Sequence, residues 1–256
     1  MNKLLVGSLA LVAVGFGGSA VRAADMPLKA PPLPVPVYSW TGCYVGLNIG
    51  ENYGRSKTEY GANTLDIAGV APGLQATSDI KLSGLIGGAQ IGCNYQVGTW
   101  VFGLEGDFDA TNKDGQEIQT LRPNWSVQVT ETWLATARAR LGYTVTDKWL
   151  WYVTGGGAWT SMRVNNFIPG GVGQLLTSQE KRTVSGWTVG VGTEYAVGYG
   201  WSIKSEFLYV NFGKSDFLSP TAPASFAQFR IKQEDYIWRV GMNYKFGWSP
   251  MVVAKY

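Results

Sequence analysis

Histidine does not occur anywhere in these 256 residues. Its absence excludes Ser-His-Asp, Cys-His and Asp-His hydrolytic arrangements and most zinc sites, because no remaining side chain titrates near neutral pH without a large pKa shift. No Gly-rich phosphate-cradling fingerprint precedes a Lys-Ser or Lys-Thr pair, so the glycine runs are read as parts of strands. Cysteine is scarce, with Cys43 and Cys93 the only two. Neither sign of charge dominates: taking Lys3 and Arg22 from the 21 basic residues leaves 19 against 18 acidic ones. That balance is too small and too dispersed to recruit nucleic acid. Beyond residue 24 no apolar run approaches the ~20 residues that a membrane-crossing helix needs.

What is present is glycine, 34 residues, and aromatics, 13% of the chain, a combination that suits closely packed strands with ring-bearing outer faces. The stretch Asp235 to Phe246 shows this best. Tyr236, Trp238, Val240, Met242, Tyr244 and Phe246 recur at every second residue, with Asp235, Arg239, Asn243 and Lys245 among the alternates. Period two predicts a strand. Its apolar face is aromatic at both ends and mostly aliphatic or small between, which suits a bilayer with two interfaces. Unpaired backbone groups in hydrocarbon cost several kcal/mol each, so such a strand implies partners that close into a barrel.

Seven more stretches alternate: about Gly42 to Gly54, Lys81 to Tyr95, Trp100 to Ala110, Trp125 to Val145, Trp149 to Val164, Val184 to Val197 and Trp201 to Phe212. In Trp149 to Val164 the large residues are split between the two parities, and its outward face stays open. Connectors alternate between tight (97 to 99, 146 to 148, 198 to 200) and long (56 to 79, 111 to 124, 165 to 183, 213 to 228). That order predicts an all-β fold, an eight-stranded antiparallel up-and-down transmembrane β-barrel with periplasmic turns and outward display loops. Trp40, Tyr95, Trp100, Tyr143, Trp149, Tyr199, Trp201 and Phe246 fall near one edge. Tyr53, Trp133, Trp159, Trp187, Tyr209 and Tyr236 fall near the other, as two interfacial girdles. A soluble barrel would instead turn its aromatics inward and its charges outward, and alternation alone does not distinguish inside from out.

The chain's opening is read as an export leader over residues 1–23, with Lys3, an apolar run and small residues before Ala23. Residues 24–40 hold a Pro-rich periplasmic linker, 41–246 the barrel and 247–256 a carboxyl-terminal extension. The presumed inward parities carry Glu105, Asp107, Asp109, Arg138, Arg140, Glu194, Lys204, Glu206, Arg239 and Lys245. Eight strands enclose about enough room for side chains, so these charges read as a salt-bridged filling, with an ion pathway or a carboxylate pair as the sharper alternative. If the first two strands pair about the middle of residues 56 to 79, Cys43 and Cys93 come nearly opposite near the periplasmic edge. A disulfide is expected in an exported chain, two free thiols being the alternative. Lys57, Glu59, Lys113, Asp114, Glu117, Glu180, Lys181 and Arg182 are expected as solvated loop charges.

YSWTGCYVGLNIG at Tyr38 to Gly50, GGAQIGCNYQ at Gly87 to Gln96, GGGAW at Gly155 to Trp159 and RVGMNYKF at Arg239 to Phe246 resemble the alphaproteobacterial outer-membrane protein family with a porin-like or opacity-protein-like β-barrel domain. That resemblance implies an eight-stranded barrel in the Gram-negative outer membrane, a surface antigen, and insertion by the barrel-assembly machinery reading the last strand. Arg239, Gly241, Tyr244 and Phe246 match the terminal signal. The sequence departs from the family in carrying GWSPMVVAKY after the closing aromatic. The resulting expectation is a structural and surface-interacting envelope barrel, porin-like permeation being a finer alternative. It has no cofactor and no enzymatic activity, and its partners are outer-membrane lipid and lipopolysaccharide, the assembly machinery, and host or envelope surfaces. A soluble or surface-bound small-ligand barrel is the rival, and a lipid-modifying enzyme the weakest reading.

Overall fold

The computed structural model describes residues 36–61, 73–118, 120, 126–169, 175–222, 225–247 and 251–252. The strands in chain order are β1 Pro36–Val37, β2 Gly42–Tyr60, β3 Ile80–Val97, β4 Trp100–Thr111, β5 Asp114–Ile118 and β6 Ser126–Thr146. They continue with β7 Trp149–Pro169, β8 Leu175–Gly198, β9 Trp201–Ala222, β10 Ser225–Lys245 and β11 Met251–Val252. Pairing is antiparallel throughout, β4 and β5 together form one wall between β3 and β6, and β2 pairs with both β3 and β10. The result is a closed ring of eight walls with no free edge, the arrangement that satisfies every wall's backbone without water. β1 and β11 form a separate two-residue ladder, Pro36 opposite Val252 and Val37 opposite Met251. The expected leader, residues 1–23, and the linker as far as residue 35 lie outside the described residues.

Three tight turns join walls at one end. Gly98 (φ 60°) serves the first, and Gly198, Tyr199 and Gly200 (φ 113°, 53° and 84°) serve the third. Tyr199 is the only described non-glycine residue in the left-handed region, and it holds that conformation between two glycines that take the same region at no steric cost.

The middle of the ring carries its apolar residues outside. Leu47 and Leu104 are each 69% exposed, while Asn48 and Glu105 beside them are 7% and 3% exposed. Rings bound the belt above and below: Tyr53, Trp159, Trp187 and Tyr236 at one level, Tyr95, Trp100, Tyr143 and Trp201 at the other, all exposed. The open face of β7 is settled here. Trp151, Val153 and Trp159 point out, and Leu150, Tyr152 and Met162 point in. Trp40 departs from the girdle expected for it. It turns into the ring at the turn end and is buried, its backbone N–H donating to Gln96 Oε1 at 2.7 Å and its indole N–H to Asp147 O at 3.2 Å.

The long display loops are a second departure, because strand structure runs well into them, through residues 56–60, 114–118, 165–169, 175–183, 213–222 and 225–228. Alternation persists there with its sense reversed. On β10, Phe229 and Ile231 are buried while Arg230 and Lys232 face out, in unbroken phase with inward Asp235, Ile237 and Arg239 below. Outside lipid the ring behaves as a water-soluble barrel, apolar inside and charged outside. The outer faces of these segments are therefore polar, which along the sequence resembles a loop.

The belt generates a direct test. Leu47→Arg, at an exposed position between the two ring levels, should lower unfolding stability in phospholipid vesicles by about 2–4 kcal/mol. Lys57→Ala, above the rings, should change it by less than about 1 kcal/mol. Urea titrations followed by tryptophan fluorescence would measure both, and equal effects would place Leu47 outside lipid.

Candidate functional site

The ring's interior is the densest concentration of chemistry in the described residues, and it is layered. At the turn end Tyr38, Trp40, Val101, Leu150, Tyr152 and Ala196 form an apolar cluster. Lys245 sits at this end, its ammonium 4.4 Å from the Tyr38 ring centroid and donating to Ser39 O.

Above lies a charged layer. Alternation on β4 delivers Glu105, Asp107 and Asp109, β6 delivers Arg138 and Arg140, β8 Glu194, β9 Lys204 and Glu206, and β10 Arg239, all buried. Arg138 donates to Glu105 at 2.6 Å and Asp107 at 2.9 Å and lies 3.0 Å from Glu206. Arg239 reaches Asp107 at 3.0 Å, Asp109 at 2.7 Å and Glu206 at 2.8 Å. Lys204 lies 3.0 Å from Glu105, and Arg140 lies 2.8 Å from Glu194 with its guanidinium 3.9 Å from the Tyr152 ring centroid. With Lys245, five cations meet five carboxylates, so the filling is neutral as a whole. Neutral groups add further hydrogen bonds. Tyr44 and Tyr152 hydroxyls donate to Glu105 and Glu206 at 2.7 and 3.0 Å, and Asn48, Gln90 and Asn243 join in a chain of amide hydrogen bonds. Gly92 and Gly192 leave room for those two tyrosine rings, since a side chain at either position would overlap them.

Ile86, Leu134, Ala158, Leu208 and Ile237, all at most 1% exposed, form the apolar layer above. Next comes a second ionic group that the sequence reading did not assemble. Lys113 lies 2.7 Å from Glu131 and 2.6 Å from Asp235, all three fully buried, and Gln233 donates to both carboxylates. Lys113 thus corrects the expectation of a solvated loop charge. Its backbone carbonyl accepts the Glu131 N–H at 2.9 Å across the gap between β4 and β5, and it continues the inward parity of Glu105, Asp107 and Asp109. That shared parity was the available signal. Glu131 carried none, because a register shift between Glu131 and Leu134 moves the inward parity of β6 from odd to even. Tyr60, Ile80, Val127, Val129, Phe212, Phe217, Phe229 and Ile231 then fill the end away from the turns.

Cys43 and Cys93 face each other across β2 and β3 and are joined in a disulfide. Of the expected terminal signal, Arg239 points inward into the network, and Tyr244 and Phe246 are exposed at the turn-end ring level. Lys57, Glu59, Asp114, Lys181 and Arg182 lie on outward or solvent-exposed positions of the upper strands, and Glu117 on β5 is half-buried.

Comparison with known proteins agrees with this architecture. Residues 9–246 match the family model for the outer membrane protein beta-barrel domain. The 31 kDa outer-membrane immunogenic protein of Brucella melitensis is 34% identical over 245 residues, covering 93% of this chain and 98% of the relative. The 25 kDa outer-membrane immunogenic protein of the same organism is 28% identical over 256 residues, covering 96% and 99%. Among solved structures, the outer membrane protein OprG from Pseudomonas aeruginosa superposes with a TM-score of 0.53 at 12% identity, over 83% of this chain and 99% of that one. The outer membrane protease OmpT from Escherichia coli gives 0.52 at 8%, over 82% and 98%. At such identities these two show the fold alone.

Two consequences of the interior are measurable. Arg138→Met removes one cation from each of three buried carboxylates, leaving the network one charge short, and should lower unfolding stability by about 3–5 kcal/mol, whereas Arg230→Met, in a half-exposed pair with Asp216, should cost at most about 1 kcal/mol. Replacing both cysteines by alanine should lower stability by about 2–4 kcal/mol. Denatured, unreduced wild-type protein should take up no thiol label, and labelling of both residues would refute the crosslink.

Proposed function

Because this chain belongs to the outer membrane protein β-barrel domain family, we propose that it serves the Gram-negative outer membrane as a closed structural and surface-displayed barrel rather than as an open channel. The observation that carries this is the succession of fills inside the ring: an apolar cluster around Trp40, a neutral charge network, an apolar layer, the Lys113 group and a second apolar core. Water and ions crossing it would have to displace paired charges and dehydrate through three apolar layers. Porin-like permeation requires all of these to move at once.

Surface contact falls to the strand ends and connections beyond the upper rings, and the immunogenic character named for the Brucella relatives favours display of that end. Lipopolysaccharide and host or envelope surfaces are the partners offered such a surface. The barrel-assembly machinery is the partner during insertion, reading Arg239, Gly241, Tyr244 and Phe246. Residues 1–23 act as a leader removed on export, and 24–37 and 247–256 as periplasmic segments flanking the barrel, the end of the expected linker, Tyr38 to Trp40, being drawn into the ring. The soluble small-ligand alternative is disfavoured by the exposed apolar belt, which would face water. Catalysis is disfavoured by the absence of histidine and by relatives named as antigens.

Purified protein in planar bilayers should show no reproducible conductance steps above the lipid baseline, and stable steps would overturn the closed reading. In the same preparation, unheated protein should run as a compact β-rich species on gels and shift after boiling. Release from membranes by carbonate would favour the soluble alternative.

A further inference from the structure

Above the upper rings the outward faces of β3, β2, β10 and β9 place cation against cation. Lys57 stands opposite Lys232, and Lys232 opposite Lys214, so three lysines on three neighbouring walls share one rung. Arg55 stands opposite Lys81 on a lower rung. Directly opposed like charges destabilise a sheet, and this register opposes them in three pairs on two rungs. Carboxylates on the same faces offset the charge in part: Asp79 lies 3.8 and 3.9 Å from Arg55 and Lys57, Glu59 3.4 Å from Lys214, Glu234 2.8 Å from Lys232 and Asp216 3.0 Å from Arg230. Among the described residues six cations thus meet four carboxylates, and Lys81, which is exposed, forms no ion pair with them.

The height of this patch says what it faces. Tyr53 pairs with Tyr236, and Tyr236 with Tyr209, whose ring lies 5.3 Å away, so a row of rings runs beneath it on the same walls. Arg55 lies two residues and Lys57 four residues beyond Tyr53 along β2, or roughly 7 and 13 Å along the strand. Aromatic rings settle at the headgroup boundary, which places the cations at the depth of the phosphates of the outer leaflet.

We propose that the outward face of β3, β2, β10 and β9, centred on Lys57, Lys232 and Lys214 with Arg55 and Lys81, is a docking surface for the phosphorylated glycolipid headgroup of the outer leaflet. This rests on the outer-membrane reading above. The acyl chains would lie along the belt below while the headgroup phosphates neutralise the surplus cations.

The test uses the full-length barrel folded in neutral detergent, with lipid A as the probe. Three arms compare wild type, Lys57→Gln/Lys232→Gln/Lys214→Gln and the same three positions changed to arginine, against lipid A, dephosphorylated lipid A and inorganic phosphate. Wild type and the arginine variant should bind lipid A alike, and the glutamine variant at least about tenfold more weakly. Dephosphorylated lipid A should bind wild type as weakly as lipid A binds the glutamine variant, and millimolar inorganic phosphate should not displace the lipid. Equal binding of wild type and the glutamine variant, or indifference to the phosphates, would overturn the proposal while leaving the barrel intact. Displacement by inorganic phosphate would make the patch a free-anion site and overturn it likewise. Heat-shifted gel mobility, read on every sample, reports the barrel separately. Should the glutamine variant fail that check, Lys81→Gln, at an exposed site on the same face, replaces it with the same expected direction.

Discussion

Everything in this molecule depends on β2 finding β10. A strand in hydrocarbon cannot leave amides and carbonyls unpaired, and the pairing from Tyr44 opposite Lys245 to Tyr60 opposite Phe229 removes the last two edges of the sheet. Once the ring is shut, each residue is committed to lipid or to lumen. A one-residue slip at the seam would send Arg239 into the acyl chains and Val240 into the charge network.

Closure at eight walls sets the second constraint, which is the filling of a narrow lumen. Nine charged side chains occupy one slab of it, with Lys245 at the turn end below, and burial on this scale is tolerable because the charges of the slab pair with one another. Arg138 and Arg239, each holding three carboxylates, act as its cross-links from opposite walls. The apolar layers at either side keep bulk water from competing for those pairs, so the Coulomb interactions act in a poorly screened interior. The same layering that stabilises the slab seals the passage, so structural rigidity and lack of conduction have one cause.

The reversal of faces above the upper rings links the fold to its setting. Below that level lipid is the outer solvent and polarity goes inward. Above it water is the outer solvent and the apolar core of Tyr60, Phe217, Phe229 and Ile231 goes inward. One continuous phase on β10 serves both regimes, with Ile231 and Arg239 on the same face. The surplus of cations sits just above the change of solvent.

By itself the sequence determined the class of fold, the approximate positions of eight walls, the inward parity of the ten lumen charges and the facing of Cys43 toward Cys93. Period-two alternation, tight-turn spacing and a two-level distribution of rings are local properties that need no partner to be read. Only the tertiary structure decided that Trp40 enters the lumen, that the faces exchange character above the rings, that Lys113 joins Glu131 and Asp235, and that three lysines share a rung. Each of these depends on which strand lies beside which, and on the register shift in β6 and the gap between β4 and β5. Such alignments are made by the closed ring, and apart from the inward parity of Lys113 the order of residues along any one strand does not carry them.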